Sequence, residues 1–596
     1  MTPSAERLRR FSLPALLALV VVLYLPVLGT GLLADDHYHR FLVERMPVDF
    51  GKTLNLFGLV RGPEEVEILR RNGILPWWTS DGLRIDFFRP VPSLGHAFDY
   101  AFFGDHPWVA HLHSLLVYLG LVAAVSALYN RFASSGVALL ATAVFAVDDA
   151  HALCVSWIAN RADLIAALFL VLGLLRWLSF REHERARDGA LAALFFALAI
   201  LSKESSVVFP GILLAHALAF RDRRAPRTAL LVAFASVALY VAWYAHAGHG
   251  PRSAYYAGGG GLGHVVQLAT TSILFHGVIL VTGIPLHALA ADPVRQQPLV
   301  ALALLLATLV FVAAVVRLLW HEAATRFFAG FTIVTLLLLV TGFPDPRLLT
   351  LPSIGFSYLA ARLVVELVSR ARRSLRITGV VLASVHLVLA PALVQTCTSV
   401  LRELSASRNE LEDGVSAALD NRADGAETDV FVLNLHHREA SAVATLPLVF
   451  TQGGVDPTPL LETDAPYLAR IDRAFAAQRV HLHVLSFLGD DVRFTVLGPR
   501  SFTLEPATGS YLPSLFERLY LTQTRFVVGQ VVVLPAYRAT IEAVDPEGIP
   551  TRVRFDLPRP LSQGYRIVRW DGARYAPVDV GPLEGAGPAL RVARRR

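Results

Sequence analysis

The feature that most constrains this chain is a succession of apolar runs, each near the ~20 residues that a helix needs to cross a bilayer. They lie at about 12–33, 109–129, 134–148, 162–180, 189–202, 205–220, 228–246, 298–319, 327–343, 349–369 and 376–397. A further stretch, 264–289, carries His264, Gln267 and His276, with glycine and proline near its end. Composition agrees: mean hydropathy is +0.50 and 17% of residues are charged, against about a quarter in soluble domains. The expectation is a polytopic α-helical membrane protein with about 11 transmembrane helices.

Apolar character stops near residue 398. Beyond it come a helical stretch, 400–419, and strand-like runs at 429–435, 479–487, 493–498, 529–544 and 551–558, punctuated by Gly, Pro and Asp. The division expected is a membrane domain, 1–398, and a soluble, strand-rich α+β extracytoplasmic domain, 399–596. Lys and Arg favour cytoplasmic loops. Arg7, Arg9 and Arg10 therefore place the N-terminus inside, as do the basic loops 181–188, 221–227 and 370–376. The count closes only if 264–289 does not cross, so it reads as re-entrant or interfacial. Outside then fall 34–108, 149–161, 203–204, 344–348 and the C-terminal region. The first run is longer than a signal-peptide core and no A-x-A site follows it, so it reads as an anchor. In the long first loop, 64–73 reads as a surface helix, and the aromatic-rich 74–90 as interfacial.

The net charge of +6 reads as membrane orientation rather than nucleic-acid binding. All but two basic residues are arginine; the lysines are Lys52 and Lys203. Cys154 and Cys397 make no disulfide framework, and no zinc spacing or phosphate-binding glycine loop is present.

The polar residues at run ends gather on one expected side. Asp35, Asp36, His37 and His39 follow the first run; Arg89, His96, His111 and His113 surround the start of the second. Asp148, Asp149, His151, Arg161 and Asp163 flank the loop before the fourth, Lys203 and Glu204 lie between the fifth and sixth, and Asp345 and Arg347 precede the tenth. Ionisable residues at a membrane are costly and mark a pathway or site. Taken singly, they also read as interfacial polar groups, a snorkelling Lys203, or an Arg161/Asp163 loop pair. Together they suit a lipid phosphate at the outer leaflet: arginine and lysine neutralise it, and an aspartate takes a proton from an incoming hydroxyl.

Five stretches carry a resemblance: LLADDHYH (32–39), FFRPVPSLGHAFDYAFFGDHPWVAHLHSLLVYL (87–119), AVFAVDDAHALCVSWIANRADLIAALF (143–169), LSKESSVVFP (201–210) and PRLLTLPSIGFSYLAA (346–361). In this order the chain resembles the GT-C glycosyltransferases, above all the transmembrane and tetratricopeptide-repeat O-mannosyltransferases and their bacterial relatives. The resemblance implies a GT-C-like fold, a polyprenyl-phosphate-linked sugar as donor and inversion at the anomeric carbon. It makes Asp35 the general base. Asp36 would orient the acceptor or help hold a divalent cation, magnesium or manganese, where one is used. Arg89, His96, Arg161, Lys203, Glu204 and Arg347 become substrate-binding residues, with Lys203 and Arg347 first for the donor phosphate. The family's His-Pro and following Glu are here Asp148-Asp149 and Leu153, and no tetratricopeptide repeats follow. Acceptor contacts and metal use thus stay open; glycan, lipid and protein acceptors all fit. The expected place is a bacterial plasma membrane, with the active side outside and membrane lipids around it. Two other functions suit the same polar residues: a transporter or flippase of lipid-linked sugars, and a non-catalytic scaffold.

Overall fold

The computed structural model describes residues 3–33, 35–45, 54–221, 227–254, 256, 262–284, 298–339, 345–419, 428–435, 480–488, 492–507, 509–512, 515–522 and 525–579. Most of the basic loop 221–227, the ends of the apolar runs at 264–289 and 327–343, and the C-terminal arginines lie outside these residues. The chain divides into two compact units. The first comprises Met1–Thr30, Phe88–His249 and Leu262–Arg402; the second comprises Gly31–Phe87, Gly250–Gly261 and Glu403–Arg596.

The first unit is helical. Among the described residues seven helices are long and apolar enough to span a bilayer: Ser12–Gly29, Pro107–Tyr129, Ile158–His183, Thr228–His246, Pro298–Leu319, Pro346–Ser369 and Arg373–Ala406. An eighth would be the pair Ser135–Ala146 and Asp149–Ser156, bent by 46°. The protein is an integral membrane protein. The other expected spans are shorter helices, Ala186–Ile200, Phe209–Ala219 and Ala323–Leu338. A hydropathy window counts apolar residues but does not see where a helix stops. Lys203 to Val208, for instance, is spent on a turn before the helix that Pro210 opens. The stretch at 264–289 contains helix Leu262–Thr282, whose apolar part, Thr270–Thr282, is short.

Helix Thr350–Ser369 is the core of this unit, buried at every position from Thr350 to Ala361. Tyr129 donates its hydroxyl to the Ile354 carbonyl at 2.6 Å, and Phe328 stacks on Tyr358 with centroids 4.0 Å apart. A Cβ at Gly355 would lie 2.6 Å from the Phe328 carbonyl oxygen, so glycine is what lets this helix lie against Ala323–Leu338. Thr228–His246, by contrast, leaves Leu231, Val232 and Leu239 each at least 67% exposed, as a lipid-facing helix must.

Among the described residues the second unit holds three sheets. Strands β1 (Gly58–Val60), β2 (Arg84–Asp86) and β3 (Gly250–Arg252) pair antiparallel in that order. Strands β4 (Thr428–Val432) and β5 (Val480–Val484) pair in parallel. The antiparallel five-stranded sheet uses β6 (Val492–Gly498), β7 (Ser501–Pro506), β8 (Val531–Val533), β9 (Arg538–Val544) and β10 (Pro550–Asp556), ordered β6-β7-β10-β9-β8. Strands β11 (Tyr565–Trp570) and β12 (Tyr575–Pro577) complete the β4 sheet as β12-β11-β4-β5. The C-terminal region is strand-rich, as expected. The helical stretch at 400–419 is the end of helix Ala390–Leu419, and 64–73 contains helix Pro63–Arg71.

One reading is corrected here. The aromatic segment 74–90 is not an interfacial belt. Trp77 and Trp78 are buried in the second unit and donate their indole N–H groups to the carbonyls of Leu485 at 3.0 Å and Glu517 at 3.2 Å. Tyr511, Phe555 and Phe487 meet their rings edge-on. Buried indoles need such a partner for the N–H, and distant strands supply it.

Candidate functional site

In the first unit the expected cations stand at helix ends, most beside a carboxylate. Arg89 immediately precedes helix Pro90–Phe103, whose Val91 N–H bonds the Leu201 carbonyl at 3.3 Å. That contact brings Arg89 to Glu204. Its Nε lies 3.1 Å from each carboxylate oxygen and its Nη2 2.8 Å from Oε2, a forked pairing that guanidinium geometry favours. Tyr244 donates to the same carboxylate at 3.3 Å.

His96 and Asp99 are three residues apart on one helical face, and both reach Arg161. Its Nη2 donates to Asp99 Oδ2 at 2.5 Å and to His96 Nδ1 at 3.3 Å. The other Asp99 oxygen is 2.5 Å from His113 Nδ1. Asp163, in the first turn of helix Arg161–His183, takes the Lys203 ammonium instead, at 2.5 Å from both oxygens. Arg161 and Asp163 are thus not a local pair: two residues apart on a helix they face different ways, and each finds a distant partner.

Arg347 is held differently. Asp345 caps the turn Pro346–Leu349 by accepting the Arg347 backbone N–H at 3.0 Å. Its other oxygen lies 3.5 Å from Arg347 Nε. Arg347 Nη1 donates to Asn160 Oδ1 at 3.4 Å, and the guanidinium lies 5.4 Å from the centroid of the Trp157 ring. Asp148 caps the turn Asp149–His151 through the Ala150 N–H at 2.9 Å. Sequence reasoning named Arg161, Lys203 and Arg347 but missed Asp99, Trp157, Asn160 and Tyr244. The run WIANRAD (157–163) held two of these; the i, i+3 spacing of His96 and Asp99 was a signal for a third.

Asp35 and Asp36 belong to the second unit, at the start of helix Asp35–Arg45, where the helix dipole favours acids. Asp36 is fully buried, and its Oδ2 accepts the Leu33 N–H at 3.0 Å. Asp35 is half-buried. Burial, then the charges of Asp35 and Glu517, push the Tyr520 phenol above its ordinary pKa. The two acids differ in burial: Asp36 is enclosed and Asp35 is half-buried. His37 Nε2 is 3.1 Å from the Leu32 carbonyl, and His39 lies edge-on to Phe57.

A divalent cation asks for several hard oxygen ligands. Among the described residues no three His, Cys, Asp or Glu side chains come together to hold one.

Residues 90–246 match the model of the dolichyl-phosphate-mannose-protein mannosyltransferase family. The resemblance to the GT-C membrane glycosyltransferases is borne out. The matching stretch contains His96, Asp99, Trp157, Asn160, Arg161, Asp163, Lys203 and Glu204. The human protein O-mannosyl-transferase TMTC4 is 30% identical over 149 residues, 21% of this chain. The chain spans about a fifth of that relative's length, the matched share being 20%. Two solved structures are similar at low score. Oligosaccharyltransferase AglB from Archaeoglobus fulgidus, in complex with an inhibitory peptide and a dolichol-phosphate, has a TM-score of 0.39 and 12% identity, over 71% of this chain and 62% of that one. ArnT from Cupriavidus metallidurans, bound to undecaprenyl phosphate, has a TM-score of 0.36 and 13% identity, over 79% and 89%.

Proposed function

We propose that this protein is an inverting glycosyltransferase that moves a sugar from a polyprenyl-phosphate carrier to an acceptor hydroxyl at the outer face of a bacterial plasma membrane. The observation that carries the reading is the match over 90–246, which contains two of the four expected cations, Arg161 and Lys203. Asp35 takes the proton of the acceptor hydroxyl. The oxygen bonds to the anomeric carbon as the bond from that carbon to the phosphate oxygen breaks. The lipid phosphate leaves with the electron pair, and fixed cations stabilise the charge that builds on it.

The geometry sharpens the cation roles. Arg89 and Arg161 are matched to Glu204 and Asp99, which suits holding helix ends together. Lys203 meets both Asp163 oxygens, so a phosphate there would share it. Arg347 has the most exposed side chain of the four, at 20%, which suits receiving the phosphate. Asp36 positions the turn that carries Asp35.

Purified protein in lipid nanodiscs, given a labelled polyprenyl-phosphate sugar and a membrane extract as acceptor source, tests this. Wild type transfers label and Asp35→Asn does not, while both keep the same melting profile. Transfer by Asp35→Asn at the wild-type rate removes Asp35 as base. Movement of the lipid across a bilayer without transfer replaces the enzyme with a flippase.

A further inference from the structure

The apolar stretch that begins near residue 264 carries a polar pair that no step so far uses. Ser272 and His276 lie one turn apart on helix Leu262–Thr282. Both are fully buried, while Ile273 and Leu274 beside them are exposed. A titratable side chain on the inner side of an otherwise apolar helix is costly, and it is kept for a partner there. The partners are Leu339 and Asp345, six residues apart in the chain. The Ser272 hydroxyl donates to the Leu339 carbonyl at 2.8 Å, where helix Ala323–Leu338 ends. His276 Nε2 lies 3.1 Å from the Asp345 carbonyl oxygen and 3.2 Å from the Asp345 backbone nitrogen. Ser272 Oγ and His276 Nδ1 are themselves 3.0 Å apart.

The protons of this chain of contacts follow from one end. A carbonyl only accepts, so the single hydroxyl hydrogen of Ser272 goes to Leu339. The serine oxygen is then the acceptor for an N–H at Nδ1, which assigns the ring proton to that nitrogen. In the neutral ring Nε2 is bare, and the Asp345 N–H donates to it. A charged ring carries a second proton at Nε2 and donates to the Asp345 carbonyl instead. In either form His276 holds the backbone of Asp345. That residue in turn sets Arg347: one carboxylate oxygen accepts the Arg347 backbone N–H at 3.0 Å, and the other lies 3.5 Å from Arg347 Nε. Pro346 confines the residue before it to extended backbone, and Asp345 has φ −145° and ψ 132°. A hold on Asp345 therefore passes to the turn Pro346–Leu349 with little slack.

We propose that His276, oriented by Ser272, is a positioning residue for Arg347: its imidazole fixes the Asp345 backbone, and through it the direction from which the Arg347 guanidinium meets a phosphate. In this role His276 touches no substrate. The positioning rests on the contacts just described; its use in phosphate binding rests on the function proposed above.

The test uses the full chain in nanodiscs and two substitutions that divide the imidazole between them. His276→Gln places an amide near the position of Nε2 and still meets Asp345; His276→Asn reaches Ser272 and stops short of Asp345. Two quantities are read: hydrogen exchange of the peptide 345–350, and binding of undecaprenyl phosphate beside binding of undecaprenol. His276→Asn should speed the exchange and weaken undecaprenyl phosphate binding about tenfold, the scale of one hydrogen bond to a charged group, with undecaprenol binding unchanged. His276→Gln should restore both. In an Arg347→Ala background His276→Asn should add no further loss of undecaprenyl phosphate binding, because residues that act through one contact are not additive. Losses that add in that background overturn the proposal, His276 then acting on the fold and not through Arg347. Exchange at 345–350 that is the same in wild type and His276→Asn overturns it too. Should His276→Asn fail to fold, Ser272→Ala removes the acceptor of the Nδ1 proton and leaves the ring; it should speed the same exchange, and unchanged exchange again overturns the proposal. If exchange responds as expected while undecaprenyl phosphate binds wild type, His276→Asn and Arg347→Ala alike, the hold on the turn stands and the phosphate reading of Arg347 falls.

Discussion

Asp99 and Arg347 both lie where charged groups meet at helix ends of the first unit, and their surroundings differ. Asp99 is 1% exposed and has a donor at 2.5 Å on each oxygen, Arg161 on one and His113 on the other. The Arg347 side chain is 20% exposed, with Asp345 and Asn160 at 3.5 and 3.4 Å. Both Asp99 oxygens are taken, which closes the carboxylate and suits joining helices, although Arg161 Nε is buried without an acceptor among the described residues. A half-buried cation such as Arg347 keeps part of its side chain exposed. Charge alone does not separate the two clusters; exposure and contact distance do.

The first way to break this contrast is to open the closed cluster. Asp99→Ala leaves the Arg161 guanidinium buried without its carboxylate, and losing one partner of a buried pair costs about 3–5 kcal/mol. Denaturation in detergent should show a loss of that size. Replacing both members, Asp99→Leu with Arg161→Met, should recover most of it, because the uncompensated charge goes too. If the single substitution costs less than about 1 kcal/mol, as an exposed pair would, Asp99 is not structural in this sense.

The next sharpens the other side. Arg347→Ala should lower sugar transfer by about a hundredfold, the upper range for hydrogen bonds to a charged group, with a smaller change in melting than Asp99→Ala. The opposite ranking, a large melting loss and near-normal transfer, would exchange the roles given to the two clusters.

How far these roles were legible depends on the range of the contacts. Pro107–Tyr129 and Pro298–Leu319 were visible because their length and apolarity are local properties. Phe209–Ala219 read as a longer run, because hydropathy does not record that Lys203 to Val208 forms a turn. Trp77 and Trp78 were misplaced at an interface: tryptophan suits a membrane surface and a wet-edged core equally, and only Leu485, 408 residues away, decides between them. Arg161 and Lys203 stood out within motifs. Their partners did not follow, since Asp99 is 62 residues from Arg161 and Asp163 is 40 from Lys203. Trp157 and Asn160 lay inside a quoted motif, yet their place beside Arg347 is a property of three-dimensional surroundings alone.

The smallest effect tests the closed-cluster rule in the second unit. Asp429 on β4 accepts from His483 Nε2 on β5 at 2.9 Å and from Arg559 Nη2 at 2.7 Å. Burial works against its charge, but the His483 hydrogen bond and the charges of His483, His481 and Arg559 outweigh it, so its pKa falls below the ordinary 3.8. A carboxylate with a lowered folded-state value stabilises the fold in full above its unfolded value. The contribution is lost as pH falls through the folded value. Wild type should therefore lose an increment of about 1–2 kcal/mol below pH ~4, and Asp429→Asn should lack that increment while being less stable than wild type at pH 6. Arg559 is partly exposed, at 42% of its side chain, so its share is screened and the histidine bond carries most of the effect. Parallel melts of both proteins from pH 6 to pH 3 measure the difference. Curves that stay parallel through that range would mean that Asp429 carries no net stabilising charge, and that two short contacts are not enough to call a cluster closed.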